Sequence, residues 1–110
     1  MIRGGRGGAI VTIGGVSAYL GTRGRAHVCA AKAGLVGLTH ALAMELAEHE
    51  IRVNCVAPGA IDTVRGAHSA PLGRMGRSEQ LAAMVRQLCL PGGAYVTGQT
   101  IHVNGGVFLS

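Results

Sequence analysis

The sequence predicts an α/β fold, a small parallel sheet of about three strands with two main helices, and three observations carry that expectation. Short β-branched apolar runs bounded by glycine or proline alternate with longer segments of helical period. Aromatic residues make up only 3% of a composition that is 48% apolar, so the core has to be built from Val, Ile, Leu and Ala, which suits a parallel sheet covered by helices. The segment order is strand, long helix, strand, which closes as a right-handed βαβ crossover because such a helix carries the chain back to start a parallel neighbour.

Residues 1–8 hold four glycines and read as a flexible lead-in to one domain over 9–110. Within them Gly4-Gly5-Arg6-Gly7-Gly8 looks like a phosphate loop but precedes a strand, whereas a loop that cradles phosphate follows one and opens a helix. Ala9 to Ile13 (AIVTI) is the first strand. From Ala26 to His49, Val28, Ala31, Leu35, Leu38, Leu42 and Leu46 recur every three or four residues and predict a long helix with that apolar stripe. Ile51 to Val56 is the second strand, ended by Pro58-Gly59. Ala57 to Arg77 lacks a period and reads as a loop, Ser78-Glu79 opens a second helix striped by Leu81, Val85 and Leu88, and Thr100 to Val103 is the third strand.

The core of a 110-residue chain is modest, with about two thirds of the unfolded surface buried. No apolar run approaches the ~18 residues of a membrane helix, so a soluble, cytoplasmic protein without membrane contact is expected. Three distant cysteines, Cys29, Cys55 and Cys89, fit a reducing compartment and offer no metal-ligand spacing. The net charge of +5 comes from nine scattered arginines and the single Lys32. Without a basic block or interleaved aromatics, nucleic-acid binding is not expected; a solvated surface or a phosphate-bearing ligand accounts for the charge.

Three segments carry a family resemblance. Ile51 to Thr63 reads IRVNCVAPGAIDT, Tyr95 to Gly106 reads YVTGQTIHVNGG, and Lys32-Ala33-Gly34 is followed by Leu38-Thr39 and Ala43-Met44-Glu45-Leu46. These resemble the I-R-V-N-x-V-x-P-G-x-I-x-T stretch, the Y-x-T-G-Q-x-x-x-V-D-G-G closing strand and the lysine-bearing helix of short-chain dehydrogenases/reductases, with Asn104 in place of the usual Asp. The match runs almost end to end. It implies a partial Rossmann-like sheet, the C-terminal half of a doubly wound fold. It also implies a nicotinamide cofactor, NAD(P), contacted by Lys32, Pro58, Gly59, Ile61 and Thr63, with Lys32 the one catalytic residue retained.

The same resemblance exposes losses. The family's glycine-rich cofactor loop has no match in the sequence, so binding of NAD(P) by this chain alone is doubtful. Family reductases protonate the carbonyl with a tyrosine four residues before the lysine, and hold its oxygen with a serine thirteen before the tyrosine. Those positions are Val28 and Gly15. Valine has no proton to give and glycine no hydroxyl, so both the general acid and the orienting donor are lost. Ser17, Tyr19 and His27 lie close enough in sequence to be considered as replacements, although on a helix His27 points about 100° away from Val28. The family's substrate lid is reduced to Val64 to Ala70.

Three functions compete. One is an oxidoreductase homologue or fragment, redox-inactive alone. The second is a non-catalytic ligand-binding or self-associating module, a homo-oligomer or the partner of an intact relative, since the helix at Ala26 to His49 packs between subunits in the family. The third is a small hydrolase reusing the cleft through Ser17, Cys29, His27 or His40, although Gly15-Val16-Ser17-Ala18-Tyr19 departs from G-x-S-x-G.

Overall fold

The computed structural model describes residues 1–62 and 70–110. A three-stranded parallel sheet runs in the order β1 (Gly8–Ile13), β2 (Ile51–Pro58), β3 (Thr100–Val103). Helix α1 (Ala26–Leu46) joins β1 to β2, and α2 (Ser78–Cys89) lies between β2 and β3. Short 3-10 turns occur at Val16–Ala18, Ala47–His49 and Pro91–Gly93. The predicted elements are all present. The lead-in forms hydrogen-bonded turns, with Gly4 N–H donating to the Met1 carbonyl and Gly5 N–H to that of Ile2.

β2 is the axis of the molecule. Ile51 and the whole run Val53 to Ala57 are buried, as expected of a strand covered on both faces. The pleat divides them. Ile51 and Val53 pack with Ile10 of β1 against Leu42, Ala43 and Leu46 of α1. On the opposite face the Arg52 guanidinium donates to the carbonyls of Leu88, in the last turn of α2, and Gly93, in the 3-10 turn that follows, both at 2.6 Å. The two helices therefore cover opposite faces while the strands step across the sheet in one direction. The two crossovers must then be of opposite hand, and one departs from the right-handed preference.

α1 packs into the core only part of the stripe its leucines suggest, Leu42 and Leu46 but not Leu38. Ala31 is exposed and Leu38 is 47% exposed, whereas Thr39 is fully buried. Thr39 is held inward because its hydroxyl donates to the Leu35 carbonyl (2.7 Å), which leaves its oxygen to accept from Thr12 of β1 (2.9 Å). A polar contact thus sets the rotation of the helix, and counting leucines misses it. α1 ends in the 3-10 turn and at Glu50, whose φ of 56° is left-handed.

β3 pairs only with the second half of β2, through Cys55↔Thr100 to Pro58↔Val103. Ahead of it the chain bonds β2 irregularly: Gly98 N–H donates to the Val53 carbonyl and Cys55 N–H to that of Gln99. Buried Asn54 completes this join. Its amide donates to the Val96 carbonyl (2.8 Å) and its oxygen accepts from Gln99 N–H (3.0 Å).

Asn54→Ala orphans both of those backbone groups and is expected to lower stability by about 2–4 kcal/mol. Glu50→Gly relieves the left-handed residue and should raise stability by up to about 1 kcal/mol. Urea unfolding of the two variants measures both.

Candidate functional site

The carboxyl ends of β1 and β2 open onto one cleft, which is where ligands sit in open parallel sheets. Its cavity of about 480 Å³ is lined by Ile13 to Ser17 on one side and Pro58 to Ile61 on another, with Thr22, Arg25, Val28, Lys32 and Met75 completing it. The turns that shape it need glycine for steric reasons at two points. A Cβ on Gly14 would lie 2.8 Å from Cys55 Sγ, and one on Gly59 would lie 2.7 Å from Asn104 Cβ and 2.9 Å from its Cα. Gly59 N–H donates to the Val103 carbonyl (2.9 Å), fixing the end of β2 against that of β3.

Asn104 holds the facing turn by accepting from Gly106 N–H and donating to the Phe108 carbonyl. An aspartate could make only the first of these bonds, which gives the asparagine a role of its own. The far side of the cleft is tied by an isolated parallel bridge between Ile61 and Gly76. Asp62 then accepts from the backbone and hydroxyl of Ser78 and secures the start of α2.

Gly15 differs from Gly14 and Gly59. Its φ of 178° is ordinary extended backbone, and a Cβ there would meet only Ser17 Oγ at 3.5 Å and the Lys32 stem at 3.7 Å. Glycine is therefore not demanded by the fold, and a serine would fit. Val28 lies one turn before Lys32 on the same face of α1. Lys32 reaches across to β1, its ammonium donating to the Ile13 carbonyl at 3.2 Å.

Of the residues expected at the site, the structure gathers Lys32, Pro58, Gly59 and Ile61 in this cleft together with Gly15, Val28 and Ser17. Thr63 and positions 64–69 of the shortened lid lie outside the described residues. Tyr19 is turned elsewhere: its ring stacks on Phe108 and meets His102 edge-on, each at 4.8 Å between centroids. His27 is exposed and, like Cys29 and His40, does not line the cleft, so among the described residues no histidine stands beside Ser17 there. The sequence reading missed Arg25, although its spacing of three before Val28 and seven before Lys32 places all three on one helix face. Among the described residues there is no cluster of three or more His, Cys, Asp or Glu able to hold a metal, and no helix long and apolar enough to cross a membrane.

A parallel sheet with helices on both faces and a cleft at its carboxyl edge, walled by a helix-borne lysine and a Pro-Gly turn, defines a Rossmann-like α/β scaffold of the dehydrogenase type. The comparisons make the class specific. A family model described as enoyl-(acyl carrier protein) reductase matches residues 1–108, and the chain belongs to the short-chain dehydrogenase/reductase family. It is 46% identical over 116 residues to 3-oxoacyl-(acyl-carrier-protein) reductase FabG of Pseudomonas aeruginosa, covering 96% of this chain and 47% of that protein. It is 42% identical over 113 residues to nodulation protein G of Rhizobium meliloti, covering 93% and 46%. Among solved structures it superposes on acetoin dehydrogenase YohF of Salmonella typhimurium with a TM-score of 0.89 at 39% identity, covering 96% of this chain and 46% of that one. A short-chain dehydrogenase/reductase of Brucella melitensis gives a TM-score of 0.84 at 39% identity, with 93% and 43% covered. The chain thus spans about half the length of the relatives it matches.

The contrast between glycines is measurable. Gly59→Ala is expected to destabilise by about 1–3 kcal/mol through overpacking against Asn104, while Gly15→Ser should stay within about 0.5 kcal/mol of the parent. Thermal and urea denaturation of the two variants would show it, and a large loss in Gly15→Ser would mean that the cleft no longer accommodates a serine.

Proposed function

We propose that this chain is a nicotinamide-side unit of the short-chain dehydrogenase/reductase scaffold that does not catalyse carbonyl or alcohol redox alone. One observation carries the reading: Gly15, Val28 and Lys32 meet in one cleft, and of the three only Lys32 has a polar side chain. The named relatives, a 3-oxoacyl-(acyl-carrier-protein) reductase and an acetoin dehydrogenase, suggest carbonyl and alcohol chemistry as the ancestry.

The cleft is open, of a size suited to a nucleotide's nicotinamide end, and has a cation in its wall. Lys32 would hold the ribose hydroxyls there, with Pro58, Gly59 and Ile61 flanking the ring. A bound NAD(P) supplies or accepts a hydride. The chain's own residues would have to move the matching proton and orient the oxygen, and neither Val28 nor Gly15 can do so. Ser17 lines the cleft but has no base among the described residues lining it.

A second reading, self-association or pairing with an intact relative, is favoured by the outer face of α1 and by β1. Leu38 and Met44 are exposed on that helix, Met44 at 82%, and among the described residues β1 pairs only with β2, leaving its other edge open. The two readings are compatible, since an oligomer could complete a cofactor site.

Titration with NADH and NADPH should show weak binding that Lys32→Ala reduces about tenfold or more, and no turnover of acetoin or of a 3-oxoacyl thioester. Tight binding indifferent to Lys32, or turnover by the parent chain, would overturn the first reading. Sedimentation should show a dimer or larger species that Met44→Glu dissociates; a monomeric parent would remove the second.

A further inference from the structure

We infer that the same cleft is a binding site for a small organic carboxylate, gripped by Arg25 and Lys32 and seated against an aliphatic wall. The inference shares Lys32 with the cofactor reading but rests on Arg25, which that reading does not use.

The first argument is charge. Arg25 and Lys32 both line the cleft, and among the described residues lining it there is no carboxylate. Arg25 is half-buried, yet among the described residues its guanidinium makes no ion pair or side-chain hydrogen bond. Among the described residues Lys32 makes one side-chain hydrogen bond, to the Ile13 carbonyl, which leaves two ammonium protons for other acceptors. Two partly desolvated cations without a counter-charge favour an anion between them. Arginine adds a planar fork suited to the two oxygens of a carboxylate.

The second argument is the wall. Ile13, Val16, Val28, Ile61 and Met75 make most of the lining apolar, with Ser17 and Thr22 as the neutral polar groups. A cavity of about 480 Å³ is far larger than a bare inorganic ion requires, given that one water occupies roughly 30 Å³ in the liquid. Val28 presents aliphatic surface to this space, and the absence of a side chain at Gly15 leaves the Lys32 stem uncovered where a Cβ would lie 3.7 Å away. A ligand with a charged head and an aliphatic body matches both halves of the cleft.

Butyrate is a suitable probe, with butyramide as its neutral isostere, both titrated into the full chain at constant ionic strength and followed by the amide resonances of Gly14, Gly15 and Val28. Butyrate is expected to bind at these amides, and butyramide at least about tenfold more weakly. Arg25→Gln should weaken butyrate about tenfold or more, while Arg23→Gln, an exposed neighbour, should not. Equal binding of acid and amide, or butyrate affinity unchanged in Arg25→Gln, would overturn the inference. The acid and amide comparison uses the parent chain and stands even if Arg25→Gln fails to fold. Inorganic phosphate binding as well as butyrate would overturn the organic part. Nicotinamide mononucleotide separates the two readings: Arg25→Gln should leave its binding intact and Lys32→Ala should reduce it. Parallel loss in Arg25→Gln would assign the arginine to the cofactor's phosphate instead.

Discussion

The burial of β2 on both faces is the constraint from which the rest of the structure follows. A strand with water on neither side must satisfy every backbone group within the protein and has apolar or fully bonded side chains on both sides. Ile51, Val53, Cys55 and Ala57 meet the requirement by being apolar, and Asn54 meets it by bonding Val96 and Gln99. Arg52 turns its charge to the carbonyls of Leu88 in α2 and Gly93 in the turn beyond it. In doing so β2 organises its neighbours: α1 docks on one face, α2 on the other, and the approach to β3 is held in register by an asparagine side chain.

The cleft is a consequence of how β1, β2 and β3 end. Gly14 and Gly59 let the backbone approach Cys55 and Asn104 more closely than any side chain allows. Those contacts belong to the scaffold. Position 15 is under no such constraint, because its backbone is extended and it has room for a side chain. The turns that form the cleft are therefore indifferent to whether position 15 carries a small side chain.

The three strands were legible because β-branched runs bounded by Gly or Pro leave few alternatives, and β3 matches its expected span residue for residue. β2 runs two residues beyond Val56, since parallel pairing with β3 carries Ala57 and Pro58 along. The rotation of α1 was not legible from its leucines. Thr39 faces inward only because Thr12 lies opposite it, and that contact spans 27 positions of chain. Arg25 was not legible as a site residue for a different reason: it stands at the entry of α1 and not at a position where the resembled family places its catalytic groups. Its spacing from Lys32 was visible throughout. Which neighbouring hydroxyl faces the cleft needed the three-dimensional path of the turn after β1, which brings Ser17 in and sends Tyr19 to His102 and Phe108.

Lys32 and Arg25 differ in what their presence signifies. The bond from Lys32 to the Ile13 carbonyl satisfies a backbone group at the end of β1 and ties α1 to the strand. A lysine there has a structural use whether or not any cofactor binds. Arg25 has no such use among the described residues. Its charge is held in a partly apolar cleft without a partner, an arrangement that folding alone does not reward. The residue outside the family's catalytic set is thus the one whose position calls for a ligand.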